Sequence, residues 1–232
     1  MEIPQSRPMS VEVIFPCLDE AAALAALFAR VPDEYRVTLV DNGSGDGSAE
    51  IAAALGANVV FEPKRGYGAA VHAGLGAATA DIVAVMDCDG SLDPRELDAL
   101  VQAVAQNRCD LAAGRRRPAG RGTWPWHARA GNRVLATVLS RLFPLLSLTD
   151  LGPVRVGRRS DLLALGVKDR RSGYPVETLI RAAVSGWRIS EFDMTYRRRA
   201  AGTRSKVSGS LAGTFTATRD IVNTVRAHRV QA

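Results

Sequence analysis

Apolar and polar positions follow two alternating rhythms along the first half of the chain. Short runs rich in β-branched and apolar residues, at 11–15, 36–40, 58–61 and 82–86, read as buried strands. Between them the spacing turns helical. Leu24, Leu27, Phe28 and Val31 fall on one face of a helix that begins at Asp19 or Glu20 and ends at Pro32 and Asp33. A second helix follows the Gly- and Asp-rich turn at 42–48, runs to Leu55 and closes on Gly56. A third, Ala-rich helix spans about 69–78. A fourth starts at the N-cap Asp93, with Pro94 at its first position, and runs to about Gln106. Residues 111–113 read as a fifth strand. Pro16 is expected to stop the first strand.

The second half is less regular. Residues 114–126, rich in Arg, Gly and Pro, read as a long loop. Residues 129–143 read as a helix with Val134, Leu135, Val138, Leu139 and Leu142 inward. An apolar loop at 144–150, a short strand at 154–156 and a brief helix from Ser160 or Asp161 follow. Then come a helix from Tyr174-Pro175 to about Ser185, a strand over 187–196, a cationic loop over 197–208 and an amphipathic helix over 211–230. Strands and helices in this order predict an α/β fold with a mostly parallel, Rossmann-like sheet flanked by helices. With no internal repeat and no long linker, 1–232 reads as a single domain.

Such sheets bind ligands beyond the carboxyl ends of their strands. Asp19/Glu20, Asp41 and Asp87/Asp89 all fall at those ends, so three strands place acids on one rim. A buried strand that finishes on Asp87-Cys88-Asp89 calls for a cation. A hard divalent ion held through oxygen, with phosphates completing its shell, meets that need. A solvated Asp-rich turn is the plainer alternative.

Charge sharpens the division. Residues 1–113 carry 7 Lys/Arg against 17 Asp/Glu, a balance of −10; residues 114–232 carry 23 against 7, a balance of +16. The basic half suits phosphate-rich small molecules, an anionic membrane surface or nucleic acid. No stretch of about 18 uninterrupted apolar residues predicts a membrane span. The first ten residues lack a secretory apolar core. Three cysteines without paired spacing, Cys17, Cys88 and Cys109, suit a reducing cytoplasm rather than a disulfide or zinc framework. The three histidines have no metal-ligand spacing.

Five motifs occur in order: Phe15-Pro16-Cys17-Leu18-Asp19-Glu20, Val40-Asp41-Asn42-Gly43-Ser44-Gly45-Asp46-Gly47-Ser48, Met86-Asp87-Cys88-Asp89-Gly90, Asp150-Leu151-Gly152-Pro153-Val154-Arg155 and Arg204-Ser205-Lys206. Together they resemble the family 2 glycosyltransferases, and within them the polyprenyl-phosphate (dolichol-phosphate) sugar synthase branch. The resemblance implies a GT-A fold, with a nucleotide-sugar-binding half at about 10–113 and an acceptor-side half at about 114–232. It implies roles for residues as well. Pro16, Leu18 and Glu20 would line the nucleotide pocket, although many relatives carry Tyr where Leu18 stands. Val40, Asp41 and Asn42 would hold the base and ribose edge. Lys64 and Gly68 of the basic glycine loop, with Asp87 and Cys88, complete the donor set. Asp89 would hold Mg²⁺ or Mn²⁺ against the diphosphate, with Ser91 as a weaker second ligand. Arg155 and Lys206 would reach phosphates.

The chemistry follows from the charges. Cleaving a sugar–diphosphate bond builds negative charge on the leaving nucleotide, which a metal and nearby cations stabilise. In-line attack inverts the anomeric carbon. A hydroxyl acceptor needs a base, for which Asp150 or Glu177 is available; a phosphate acceptor needs none. The runs Arg115-Arg116-Arg117, Arg170-Arg171 and Arg197-Arg198-Arg199 favour a phosphorylated acceptor, lipid-linked or not, and peripheral contact with the inner face of a membrane. Lys206, on a loop with glycines, reads as part of a lid over the diphosphate. A sugar-phosphate nucleotidyltransferase is the competing enzyme, but it opens with a basic glycine loop after its first strand, where this chain is acidic. A nucleic-acid-binding module would leave Asp87 and Asp89 without purpose and has few aromatics for stacking. Oligomeric state is not fixed by the sequence.

Overall fold

The computed structural model describes residues 9–143 and 148–200. Among the described residues, seven strands form one sheet in the order β3-β2-β1-β4-β6-β5-β7. They are β1 (Val11–Cys17), β2 (Arg36–Asp41), β3 (Asn58–Phe61), β4 (Ile82–Val85), β5 (Leu111–Pro118), β6 (Arg155–Arg158) and β7 (Ile189–Tyr196). The block β3-β2-β1-β4 is wholly parallel. β6 runs antiparallel to both β4 and β5, and β5 pairs parallel with β7.

The α-helices of the described residues that cover the sheet are α1 (Ala21–Phe28), α2 (Ser48–Ala54), α3 (Tyr67–Ala77), α4 (Asp98–Ala105), α5 (Trp126–Leu142), α6 (Arg159–Ala164) and α7 (Tyr174–Val184). Both faces of the sheet are buried, and the strand period sorts the side chains between them. Val13, Phe15, Ala84 and Met86 join one core with Leu24, Leu27, Leu97 and Leu100. Ile14, Val83 and Val85 join the other with Val71, Leu75, Leu139, Leu179 and Ile180.

Three features differ from the sequence reading. First, Pro16 does not stop β1, which continues to Cys17 in register with Asp41. The pairing of β1 with β4 ends at Ile14 and Val85, so the residue without an N–H lies beyond the ladder on that side. Second, residues 114–118 are strand rather than loop, paired position by position with β7. Arg115 and Arg117 both engage Asp193 of β7, while Arg116 turns to the opposite face. Third, α5 presents Val134 and Val138 outward, at 64% and 42% exposure, and packs Ala136, Leu139 and Phe143 inward. The Asp93 cap holds, its side chain accepting from Arg95 N, but the turn it opens is a 3₁₀ segment (Pro94–Leu97) that leads into α4. The expected lid at 201–208 and the helix at 211–230 lie outside the described residues.

Candidate active site

The carboxyl ends of β1, β2 and β4 lie side by side, and a cleft of about 390 Å³ opens there. That volume lies within the usual range for a small-molecule site, roughly 300–1,000 Å³. Pro16, Cys17, Leu18 and Glu20 line it from β1, Asn42 from β2, and Asp87, Cys88 and Asp89 from β4. Arg65, Gly66, Tyr67 and Ala70 contribute one wall, Pro153, Ser172 and Pro175 another, and Arg199 closes the acid end.

The turn after β2 is tied to the turn after β1. Asp41 accepts from the amides of Gly43 and Ser44, and Asp19, at φ 51°, accepts from Gly45 N. The hydroxyls of Ser44 and Ser48 accept from the amides of Asp19 and Glu20. Asn42 spends its side chain on the next loop: Nδ2 donates to the carbonyls of Glu62 and Lys64, and Oδ1 accepts from Gly66 N. Asp41 and Asn42 therefore shape the rim through internal bonds. Val40 is fully buried and packs in the core beneath.

The basic glycine loop behaves differently from the expectation. Lys64 is exposed outside the cleft, and Arg65 is the cation that lines it. The amides of Gly68 and Ala69, at the start of α3, donate to the carbonyls of Arg171 and Arg170. A phosphate would not find these two donors free. A Cβ at Gly68 would lie 2.6 Å from Tyr174 Cβ and 2.9 Å from Arg170 C, so close packing accounts for this glycine.

The acid pair is the electrostatic centre. Asp89 is 3% exposed; its Oδ1 accepts from Ser91 N and its Oδ2 meets Arg199 Nε at 3.1 Å. Burial, then the charge of Asp89, pushes the Asp87 carboxyl up to about 7, against the pull of Arg199 and Arg116. Two crowded carboxylates that already attract a guanidinium fit a cation seat. Among the described residues no group of three metal-ligating side chains exists, so phosphate and water oxygens would have to complete a divalent shell. Ser91 is buried, and its side chain does not line the cleft.

On the acceptor side, both acids offered as bases are engaged inward. Asp150, 4% exposed, accepts from Arg116 N, Nε and Nη2 at 2.7, 3.0 and 2.7 Å. Arg116 also stacks on Trp124 at 4.1 Å. Glu177 accepts from the amides of Lys168 and Asp169 and from Arg181 Nε. Arg155 lies outside the main cleft. Its Nη1 donates to the carbonyls of Gly152 and Val154, whereas Nε and Nη2 are buried without partners among the described residues. Burial lowers its pKa to about 10. Lys206 lies outside the described residues. Sequence reasoning did not single out Arg65, Tyr67, Ser172, Pro175 or Arg199 as cleft residues. A cation inside the basic glycine loop was the available signal for Arg65, and the run Arg197-Arg198-Arg199 was the signal for Arg199, though on the acceptor side; none marked the others.

Comparison with known proteins gives the geometry its context. The model for glycosyl transferase family 2 matches residues 12–166. An uncharacterized glycosyltransferase of Mycobacterium tuberculosis is 51% identical over 211 residues, covering 91% of this chain and 95% of that protein. The dolichyl-phosphate hexose transferase of Haloferax volcanii is 30% identical over 195 residues, covering 83% and 85%. Among solved structures, glucosyl-3-phosphoglycerate synthase from Mycobacterium tuberculosis, crystallised with Mn²⁺, UDP and glucosyl-3-phosphoglycerate, superposes with a TM-score of 0.76. Its identity is 21%, and the match covers 94% of this chain and 79% of that one.

Proposed function

The chain belongs to glycosyl transferase family 2, and on that premise we propose that it transfers a sugar from a nucleotide-diphosphate donor to a phosphorylated acceptor of the polyprenyl-phosphate kind. Transfer proceeds with inversion and uses Mg²⁺ or Mn²⁺. The observation that carries the acceptor class is the state of the two candidate bases. Asp150 is locked on Arg116, and Glu177 is locked on two amides and Arg181. A hydroxyl acceptor would need one of them free to take a proton, whereas a phosphate is already anionic. The acids that face the cleft, Glu20, Asp87 and Asp89, gather at the donor end.

The donor reading rests on how charge and apolar surface are arranged. Pro16, Cys17 and Leu18 offer an apolar wall to a base, and Asn42 holds the opposite rim rigid. Arg65 and Arg199 supply positive charge where a diphosphate would lie. Asp89, with Asp87 beside it, would hold the divalent cation. That cation, when bound, supplies charge neutralisation on the leaving diphosphate.

A lipid acceptor draws support from α5. Trp126, Val134 and Val138 stand exposed on its outer side, at 80%, 64% and 42%, beside exposed Arg129, Arg133 and Arg141. Apolar residues with arginines along an exposed helix suit an anionic bilayer surface. No helix among the described residues is long and apolar enough to cross a membrane. In this proposal the catalytic domain meets the inner face of the membrane through the outer side of α5. Calorimetry with UDP and GDP, with and without Mn²⁺, followed by transfer assays on polyprenyl phosphate, unphosphorylated polyprenol and 3-phosphoglyceric acid, tests this. We expect metal-dependent nucleotide binding and transfer to polyprenyl phosphate. Transfer to the unphosphorylated alcohol at an equal rate would overturn the acceptor class, and transfer to the small acid alone would overturn the lipid.

A further inference from the structure

The cation on Asp89 is held in place by the backbone around it. Residues 197–200 leave β7 and run along the Asp89–Ser91 turn. Arg197 N donates to Ser91 O at 2.8 Å, and Ala200 N donates to Asp89 O at 3.0 Å. Arg197 adds ion pairs to Asp93 at 3.7 Å and Glu96 at 3.9 Å. Glu96 in turn accepts from Thr195 N at 2.6 Å. Between the two backbone bonds, Arg199 projects into the cleft and sets Nε 3.1 Å from Asp89 Oδ2. The carboxylate is 4% exposed and the guanidinium side chain 32% exposed. Asp89 Oδ1 already accepts from Ser91 N, so Oδ2 is the oxygen that the guanidinium shares with any incoming cation.

We propose that Arg199 is a resident counter-ion of the acid pair, one that a divalent cation must displace from Asp89 and that then turns to the donor's diphosphate. The proposal rests on the reading of Asp89 as the cation seat. A buried carboxylate without a partner is costly, and Arg199 removes that cost while the cleft is empty. A divalent ion arriving alone has to break this pair and sit beside a guanidinium with no new partner, so lone metal binds weakly. A diphosphate arriving with the metal gives the guanidinium a stronger anion within the same cleft. Cation and donor then bind together, and the coupling is reciprocal. Arg199 also joins this exchange to the backbone of 197–200, since that segment is bonded to the same turn.

Free Mn²⁺ measured by electron paramagnetic resonance, on protein alone and with UDP or GDP, tests the exchange without reference to turnover. In the wild type, either nucleotide should tighten Mn²⁺ binding. Arg199→Met should tighten binding of Mn²⁺ alone by about threefold or more, as loss of a mostly buried ion pair implies. It should also shrink the additional tightening from nucleotide. Arg199→Lys, which keeps the charge, should stay near the wild type and serves if the Met variant unfolds. Unchanged or weaker Mn²⁺ binding by Arg199→Met, with a wild-type melting curve, would overturn the counter-ion role. Asp89→Asn distinguishes the deeper failure: if it binds Mn²⁺ as the wild type does, with and without nucleotide, the seat itself is misassigned and both readings fall.

Discussion

Glu12, Asp89 and Glu177 are equally buried, at 3% exposure each, yet they serve different ends. Glu12 accepts from the Thr38 hydroxyl and the amides of Thr79 and Ala80, and so joins the amino ends of β1 and β2 to the turn before β4. Glu177 anchors the 168–169 backbone and Arg181. Asp89 holds one amide and a removable guanidinium. What separates a structural acid from a ligand-facing one is the partner, and partners were the part the sequence could not supply. Strand-end position was legible for Asp87 and Asp89; the 67 positions between Thr79 and Glu12 were not bridged by any local pattern. Two predictions follow from the difference. For Asp89→Ala the melting temperature should stay within about 4 °C, since about 1 kcal/mol shifts a chain of this size by roughly 2–4 °C, while Mn²⁺ binding and transfer vanish. A variant that keeps normal turnover in metal would refute the assignment. For Glu177→Gln the cost should be about 1–3 kcal/mol at neutral pH. Burial alone would raise the Glu177 carboxyl, but the Asp169 and Lys168 amides and Arg181 outweigh it and hold the folded value below the usual 4.5. Its contribution is therefore present above the unfolded value and lost as pH falls through the folded one. Thermal unfolding from pH 3 to 8 should show the gap between variant and wild type closing on the acid side. A gap that stays constant across that range would rule out the ionised carboxylate as its source.

Helices and strands were legible where one period ran uninterrupted and both faces met protein. The parallel block β3-β2-β1-β4 and its helices match the sequence reading to within a few residues for this reason. Only the second half of β5 is illegible in the sequence, because it repeats one residue type. Arg115, Arg116 and Arg117 show no hydrophobic alternation, although their partners do alternate, Asp193 on one face and Asp150 on the other. On α5, Leu135, Leu139 and Leu142 pack on the core as the spacing predicts, but Val134 and Val138 face out, because they lie one helical step from Leu135 and Leu139 and two adjacent apolar stripes leave the inward one undecided. α3 shows what a glycine can mean in one helix. At Gly68 a Cβ would meet Tyr174 Cβ at 2.6 Å and the Asp169 carbonyl oxygen at 2.9 Å, whereas at Gly76 nothing lies within 4 Å. Gly68→Ala should therefore destabilise by about 1–3 kcal/mol through overpacking. Gly76→Ala should stabilise by roughly 0.5–1 kcal/mol through helix propensity. Opposite signs in thermal unfolding are the expected result; equal signs would mean that the α3–α7 contact yields more easily than its backbone neighbours allow.

Among the described residues the acidic and basic halves of the chain fold onto one sheet, and the cleft proposed for the donor lies where they meet. Asp87 and Asp89 come from one half, while Pro153, Ser172, Pro175 and Arg199 come from the other. Among the described residues of the basic 114–232 half, Arg199 is the cation that lines the cleft, and the other arginines lie outside it. Some of these are spread along α5, where Arg129, Arg133 and Arg141 accompany the exposed Trp126, Val134 and Val138. A bilayer would feel the two kinds of residue differently. Each arginine near an anionic surface contributes about 1 kcal/mol, a pull that falls off within roughly 10 Å at 0.1 M salt. Insertion of Trp126 and the two valines is nearly independent of salt. Sedimentation with phosphatidylglycerol vesicles should therefore fall with ionic strength to a plateau above zero, and neutral phosphatidylcholine vesicles should retain far less. Val134→Asp combined with Val138→Asp changes two side chains already facing outward, so the fold and nucleotide binding should survive. The plateau should disappear, and transfer to vesicle-embedded polyprenyl phosphate should slow while nucleotide affinity stays constant. If the double variant sediments with anionic vesicles at high salt as the wild type does, the outer side of α5 is not the membrane-facing surface, and the valines there need another explanation.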